Sequence, residues 1–170
     1  AGCDAIMVNT CAVTAESVRK SRQTVRRLRG ENPDAVIAVA GCWPQTEPDS
    51  VRSIGADVLF GSGERMALAD AVENAVKTGA STFRVDDSMK RRCYEPLPAG
   101  NLAGRTRALL KIEDGCVNFC SYCIIPYARG RVRSKPLDVL KAEASALGRA
   151  GYREIVLVGK YFCLYILFIA

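Results

Sequence analysis

The sequence predicts an α/β protein, with a parallel-sheet domain first and a second strand–helix–strand unit after it. Three observations carry this. Short apolar runs such as AVIAVA (35–40) are continuous rather than alternating, as in strands buried on both faces. These runs alternate with segments of helical period, the pattern of a parallel sheet covered by helices. The alternation stops near residue 80, gives way to a polar stretch, and restarts near residue 105.

Taken in order, DAIMVN (4–9) reads as a buried strand. Residues 14–30 read as a helix, with Thr14 the candidate N-cap, Glu16 in the first turn and Gly30 a stop signal. Val18, Val25 and Leu28 can then face the sheet while the cations face outward. Strands are expected at 35–40 and 57–61, with a short helix within 45–55. A long helix is expected over 64–79, closing on Lys77 and Gly79. Residues 81–104 lack sustained periodicity and read as a linker, with one edge strand at 81–85. Residues 107–113 form the next strand, 135–151 a helix with Pro136 near its first turn, and 153–159 a last strand. Residues 160–170 carry YFCLYILFIA, too short to span a bilayer and without period 2 or 3.6, and are expected to be an aberrant tail. The first domain (1–80) is expected to be incomplete at its start, and 105–159 to be the first part of a larger core.

Composition narrows the chemistry. The chain of 170 residues is 49% hydrophobic and 25% charged, which suits a soluble globular protein. A net charge of +6 leans toward a polyanionic partner, with a merely basic surface the plainer account. Eight cysteines are too sparse for a disulfide scaffold, and the first residues lack a secretory pattern. Reduced thiols in a cytoplasmic protein are therefore expected. With no histidine, His-based catalysis and mixed Cys/His zinc sites are excluded, so a metal must be held mainly by sulfur.

The densest chemistry is GCVNFCSYC (115–123), with thiols at Cys116, Cys120 and Cys123 spaced C-x3-C-x2-C. They follow strand 107–113 and so lie at a strand's carboxyl end, where α/β folds collect their active sites. Structural zinc and iron–sulfur cubanes usually take four protein ligands. Three leave one metal position open for a substrate or cofactor. A structural zinc loop and a ferredoxin-like carrier remain the plainer alternatives, although the terminal Cys-Pro of the ferredoxin run is missing.

This spacing, with Tyr122 before the last cysteine, resembles the signature of the radical S-adenosylmethionine enzymes. The resemblance implies a [4Fe–4S] cluster on Cys116, Cys120 and Cys123, chelation of the fourth iron by S-adenosylmethionine, and a partial (β/α) barrel begun by 105–159. It implies cofactor contact by Tyr122. Glu113 and Asp114 are candidates for shaping the same site, with an ordinary acidic turn as the alternative. A reductant of flavodoxin or ferredoxin type would supply the electron.

Two further cysteines follow strands of the first domain: Cys11 in Asn9-Thr10-Cys11 and Cys42 in Gly41-Cys42. Alone they could be small buried hydrophobes. Together with the later loop they resemble the methylthiotransferases, whose first domain holds a second [4Fe–4S] cluster on three cysteines. Cys11 and Cys42 match two of those ligands, and the third has no match in this chain. Cys3 precedes its strand, at the opposite end of the sheet, and Cys93 and Cys163 match no ligand.

Within that family, NTCAVTAESVRKSRQ (9–23) and GCVNFCSYCIIPYARGRVRS (115–134) look most like the branch acting on N6-threonylcarbamoyladenosine of tRNA. The branches acting on isopentenyladenosine of tRNA and on an aspartate of a ribosomal protein are the alternatives. Arg19, Arg22 and Arg26 on helix 14–30, and Arg129, Arg131 and Arg133 after the cysteine loop, are the candidate tRNA contacts. A solvated basic helix is the alternative for the first group. An RNA-binding module with structural metal is the rival of another class. A monomer without membrane attachment is expected, and a chain of this length is expected to be inactive by itself.

Overall fold

The computed structural model describes residues 2–96 and 106–160. Residues 161–170 of the expected tail, with Cys163, lie outside the described residues, as do 97–104 of the expected linker and residue 105.

The first unit is a four-stranded parallel sheet in the order β1 (Ala5–Thr10), β2 (Val36–Gly41), β3 (Val58–Phe60), β4 (Thr82–Arg84). Its strands divide their side chains between two cores, because successive residues point to opposite faces. Ile37, Val39 and Leu59 meet Val25 of helix α1 (Ala15–Glu31), together with Trp43 and Val51. Ala38, Ala40, Val58 and Phe60 meet Val72 and Ala75 of helix α4 (Arg65–Thr78). Each large side chain buried here contributes roughly 1.5–3 kcal/mol. The sheet is thus covered on both faces, as its continuous apolar strands require.

Local signals act as the residue types dictate, with two exceptions. Thr14 caps α1 in a capping box with Ser17, each side chain accepting from the other's backbone N–H. Gly79 ends α4 in the left-handed conformation. Gly30 does not stop α1, however. The helix runs on to Glu31 and ends at Asn32, whose side chain and backbone N–H both bond to the Leu28 carbonyl. Strand β1 is also more open than its apolar run suggested: Met7 is 60% exposed, and among the described residues β1 is an edge strand with β2 alone beside it. The helix expected within 45–55 is two short ones, α2 (Cys42–Thr46) and α3 (Pro48–Arg52), divided at Glu47.

The edge strand expected at the start of the polar stretch is β4, which adds to the main sheet. The residues after it run between the two units. Arg91 donates to the Asp86 carboxylate, Ser62 Oγ and Gln45 Oε1. Ser88, in a short 3₁₀ turn (Ser88–Lys90), donates to the Tyr127 carbonyl of the second unit at 2.7 Å.

The Asp86–Arg91 pair has a consequence for pH. The Arg91 hydrogen bond and charge outweigh burial and hold the Asp86 carboxyl below its ordinary range. A carboxylate with a lowered folded-state pKa adds stability that is full above the unfolded value, about 3.9, and is lost as pH falls through the folded one. Urea titrations are expected to show stability falling below about pH 4, with a smaller fall in Asp86→Asn. An equal fall in both proteins would contradict this assignment.

The second unit is one βαβ. Strands β5 (Arg107–Lys111) and β8 (Glu154–Val158) pair in parallel, and helix α6 (Leu137–Arg149) covers one face through Leu140, Ala144 and Leu147. The other face carries Leu109, 52% exposed, and Val156. The strand expected over 107–113 ends at Lys111, and Glu113–Asp114 form a short strand of their own, β6, antiparallel to β7 (Arg133–Ser134). An unexpected helix, α5 (Ile125–Arg129), follows the cysteines.

Candidate functional site: a thiol-lined cleft beside a cysteine loop

The register of β1 and β2 explains why Cys11 and Cys42 sit together. Thr10 pairs with Gly41, so the residue after each strand leaves the sheet at the same edge. The Thr10 hydroxyl donates to the Ala40 carbonyl at 2.8 Å and ties the two ends. Gly41 has φ +109°, and a Cβ there would strike the Thr10 carbonyl and the Asn9 side chain. Only glycine permits this approach. The Asn-Thr-Cys and Gly-Cys strings are thus a physical device for bringing two strand ends into contact. Cys3 lies beyond the other end of β1, exposed.

Cys11 and Cys42 line a cleft of about 530 Å³ whose far wall belongs to the second unit: Lys111, Asp114 and Arg129. The cysteine loop springs from that wall. Gly115 turns the chain at φ +87°, with its N–H on the Asp114 carboxylate, and the Cys116 N–H donates to the Gly130 carbonyl at 2.9 Å. Cys116 is buried, Cys123 half-buried and Cys120 exposed. The Cys123 N–H closes a turn onto the Cys120 carbonyl. Phe119 and Tyr127 meet edge to face at 5.6 Å and fasten the loop to α5. Tyr122, 89% exposed, makes the loop's outermost surface.

All seven cysteines among the described residues are free thiols, three of them on one loop and two on facing strand ends. No three Cys, Asp or Glu side chains among the described residues are drawn into one ligating group. Cys116, Cys120 and Cys123, free thiols spaced within eight residues, are of the residue type that ligates iron through sulfur, whereas the other site offers two thiols, Cys11 and Cys42.

Asp114 is the electrostatic centre of the wall. It pairs with Lys111 at 2.9 Å and with Arg129 and Arg133 at 3.5 Å. Burial would raise its pKa, but these three cations outweigh it and hold the carboxyl below its ordinary range. Burial dominates for Lys111 and lowers its pKa. Glu113 is committed to the fold, for its buried carboxylate accepts from the Lys160 N–H.

The expected RNA-facing arginines divide. Arg19 and Arg26 are exposed on α1, and Arg19 pairs with Glu16. Arg22 lies over the buried Trp43 ring at 5.9 Å and bonds Ser50, so part of it serves packing. Arg131 is exposed. Arg133 is 5% exposed and donates to the Arg129 and Arg131 carbonyls. The pairing of β6 with β7 turns it inward onto Asp114. Arg129 turns into the cleft that Cys42 also lines. Local sequence holds no sign of this, because Arg129 and Cys42 share a cleft only when the two units are joined.

The fold and site define an α/β protein with two free thiols, Cys11 and Cys42, in a cleft whose far wall, at Asp114 and Arg129, flanks a loop carrying three more. Residues 1–61 match the family model described as uncharacterized protein family UPF0004. The chain is 44% identical over 158 residues to threonylcarbamoyladenosine tRNA methylthiotransferase MtaB of Bacillus subtilis (strain 168), covering 92% of this chain and 35% of the relative. It is 37% identical over 154 residues to the protein of the same name from Thermotoga maritima, covering 90% and 35%. It is 36% identical over 163 residues to tRNA-2-methylthio-N(6)-dimethylallyladenosine synthase of Methylobacillus flagellatus, covering 92% and 36%. The chain belongs to this methylthiotransferase family, and it spans about a third of the length of these relatives.

Proposed function

We propose that this sequence belongs to a radical S-adenosylmethionine enzyme that adds a methylthio group at C2 of N6-threonylcarbamoyladenosine in tRNA. The observation that carries the reading is the shared cleft: Cys11 and Cys42 line one side, and Asp114 and Arg129, which flank the cysteine loop, line the other. A sulfur-insertion reaction needs a radical source and a sulfur source close together.

In this reading Cys116, Cys120 and Cys123 hold a [4Fe–4S] group, and Cys11 and Cys42 supply two ligands of a second. Such a group, held by those three thiols, would supply the electron for reductive cleavage of S-adenosylmethionine. The chain's own residues set the surroundings. Gly115 and the Gly130 carbonyl fix Cys116 at the root of the loop. Asp114 holds Lys111 and Arg129 on the cleft wall. Tyr122 stands ready for the cofactor. Arg19, Arg26 and Arg131 are the exposed candidates for tRNA phosphates. A cytoplasmic monomer reduced by a flavodoxin- or ferredoxin-type donor completes the reading. Among the described residues no helix is long and apolar enough to cross a membrane.

The test is nucleoside analysis of tRNA from cells lacking the gene. Loss of methylthio-threonylcarbamoyladenosine, restored by the gene, is expected. Loss of the methylthio-dimethylallyl nucleoside instead would favour the activity that the name of the Methylobacillus relative states. No change in either would refute a tRNA methylthiotransferase.

A further inference from the structure

The far wall of the cleft carries more positive charge than its own acid neutralises. Among the described residues that line it, Asp114 is the one carboxylate, and it is shared by Lys111 at 2.9 Å and by Arg129 and Arg133 at 3.5 Å. Arg133 is buried and also bonds backbone carbonyls. Lys111 and Arg129 keep 32% and 38% of their side chains exposed, and both line the cleft. Arg65, the other cation of the lining, is matched by Glu95 at 3.0 Å. Burial, reinforced by the charges of Arg65 and Arg129, lowers the Lys111 pKa against the pull of Asp114. Lys111 itself is held firmly: it ends β5 in register with Val158, and its carbonyl accepts the Tyr94 hydroxyl at 3.3 Å. The first unit's share of the lining includes the apolar Met7, Ala38, Ala40 and Leu68. An apolar floor beside a cationic wall suits a flat, uncharged body that ends in an anion.

We propose that Lys111, with Arg129 beside it, receives the carboxylate of the threonylcarbamoyl group and selects this nucleoside over an adenosine with a hydrocarbon substituent. The inference rests on the functional reading above. The threonylcarbamoyl substituent ends in a carboxylate, whereas a dimethylallyl group has no charge and no hydrogen-bonding atom. An ammonium has three donors, and Asp114 is the one carboxylate paired with Lys111 among the described residues. A substrate carboxylate would add a second charge-assisted bond and offset the excess positive charge of the wall. A hydrocarbon in the same place would strip water from the cation without replacing it.

The experiment is a binding cycle without turnover, run on the enzyme to which this sequence is proposed to belong. Three RNA anticodon hairpins differ at one adenosine, which carries the N6-threonylcarbamoyl group, its uncharged methyl ester, or an N6-dimethylallyl group. Fluorescence anisotropy gives their dissociation constants for wild type, Lys111→Gln and Lys111→Arg. Wild type is expected to bind the acid about tenfold more tightly than the ester, the scale of one charge-assisted bond in a partly open site. In Lys111→Gln that ratio should fall close to one with the ester bound as before, and Lys111→Arg should keep most of it. A general loosening of the cleft would weaken acid and ester alike, so the ratio isolates the contact. If the glutamine variant does not fold, Lys111→Met, which keeps the apolar stem, takes its place. Equal wild-type affinities for acid and ester, or an undiminished ratio without the Lys111 charge, would overturn the inference. So would a ratio erased by saturating S-adenosylmethionine, which would give the site to the cofactor's own carboxylate. An enzyme that methylthiolates the acid hairpin without preferring it to the ester would sink this inference alone. One that methylthiolates only the dimethylallyl hairpin would sink the functional reading, and this inference with it.

Discussion

In the enzyme to which this sequence is proposed to belong, Cys120→Ala should abolish 5′-deoxyadenosine formation from S-adenosylmethionine and remove the iron held by the 116–123 loop, while leaving the iron-free fold within about 0.5 kcal/mol of iron-free wild type. The separation of effects follows from position. Cys120 is exposed, and its backbone carbonyl, not its sulfur, supports the turn to Cys123. Truncating the thiol therefore opens no cavity. Cys116 would be a poorer probe, because it is buried beside the Gly130 carbonyl and its loss would disturb packing as well. Iron content, product chromatography and urea unfolding measured on one preparation decide the matter. Stoichiometric zinc in the wild-type protein, with no cleavage of S-adenosylmethionine, would replace the radical reading with a structural metal loop in an RNA-binding module.

Gly130→Ala should cost about 3 kcal/mol or more in equilibrium unfolding, an unusual amount for adding one methyl group. Gly130 has φ +76° and ψ −156°, a conformation open almost only to glycine. A Cβ there would also overlap the Ser88 carbonyl, which is backbone and cannot swing aside. Two things are held at this point. The Gly130 carbonyl anchors the Cys116 N–H, and the neighbouring Tyr127 carbonyl accepts the Ser88 hydroxyl from the connecting segment. The variant should therefore loosen the loop root and the interdomain seam together. Gly148→Ala, in helix α6 with open space at its Cβ, is the control and should be neutral or slightly stabilising. Similar stabilities for the two variants would mean that the seam is not packed as described.

Much of the fold was legible because it is written in local periodicity. Helix α1 begins where Thr14 and Ser17 can bond each other's backbone, and its Val25 faces the sheet because the helical period puts it there. The end of that helix was less legible. Gly30 looks like a terminator, but a glycine ends a helix only where the chain takes a left-handed turn, and Asn32 supplies the cap instead. The openness of β1 could not be read from its apolar run either, since strand order is a property of the whole sheet.

The sequence by itself determined the donor chemistry: three closely spaced thiols, two more at strand ends, no histidine, and the glycines that allow tight turns around them. These are covalent facts and local backbone constraints, and they survive any arrangement of the domains. Only the tertiary structure decided what the basic residues do. Arg133 went inward to Asp114, Arg29 bonded the carbonyls of Ala35 and Gly55, and Arg129 turned to Asp114 on the wall of the cleft that Cys42 lines, while Arg26 and Arg131 stayed on the surface. An arginine's charge is fixed by its chemistry, but its partner is chosen by which carboxylates, carbonyls and thiols the fold places within reach. Those partners lie far away along the chain, where no local pattern can announce them.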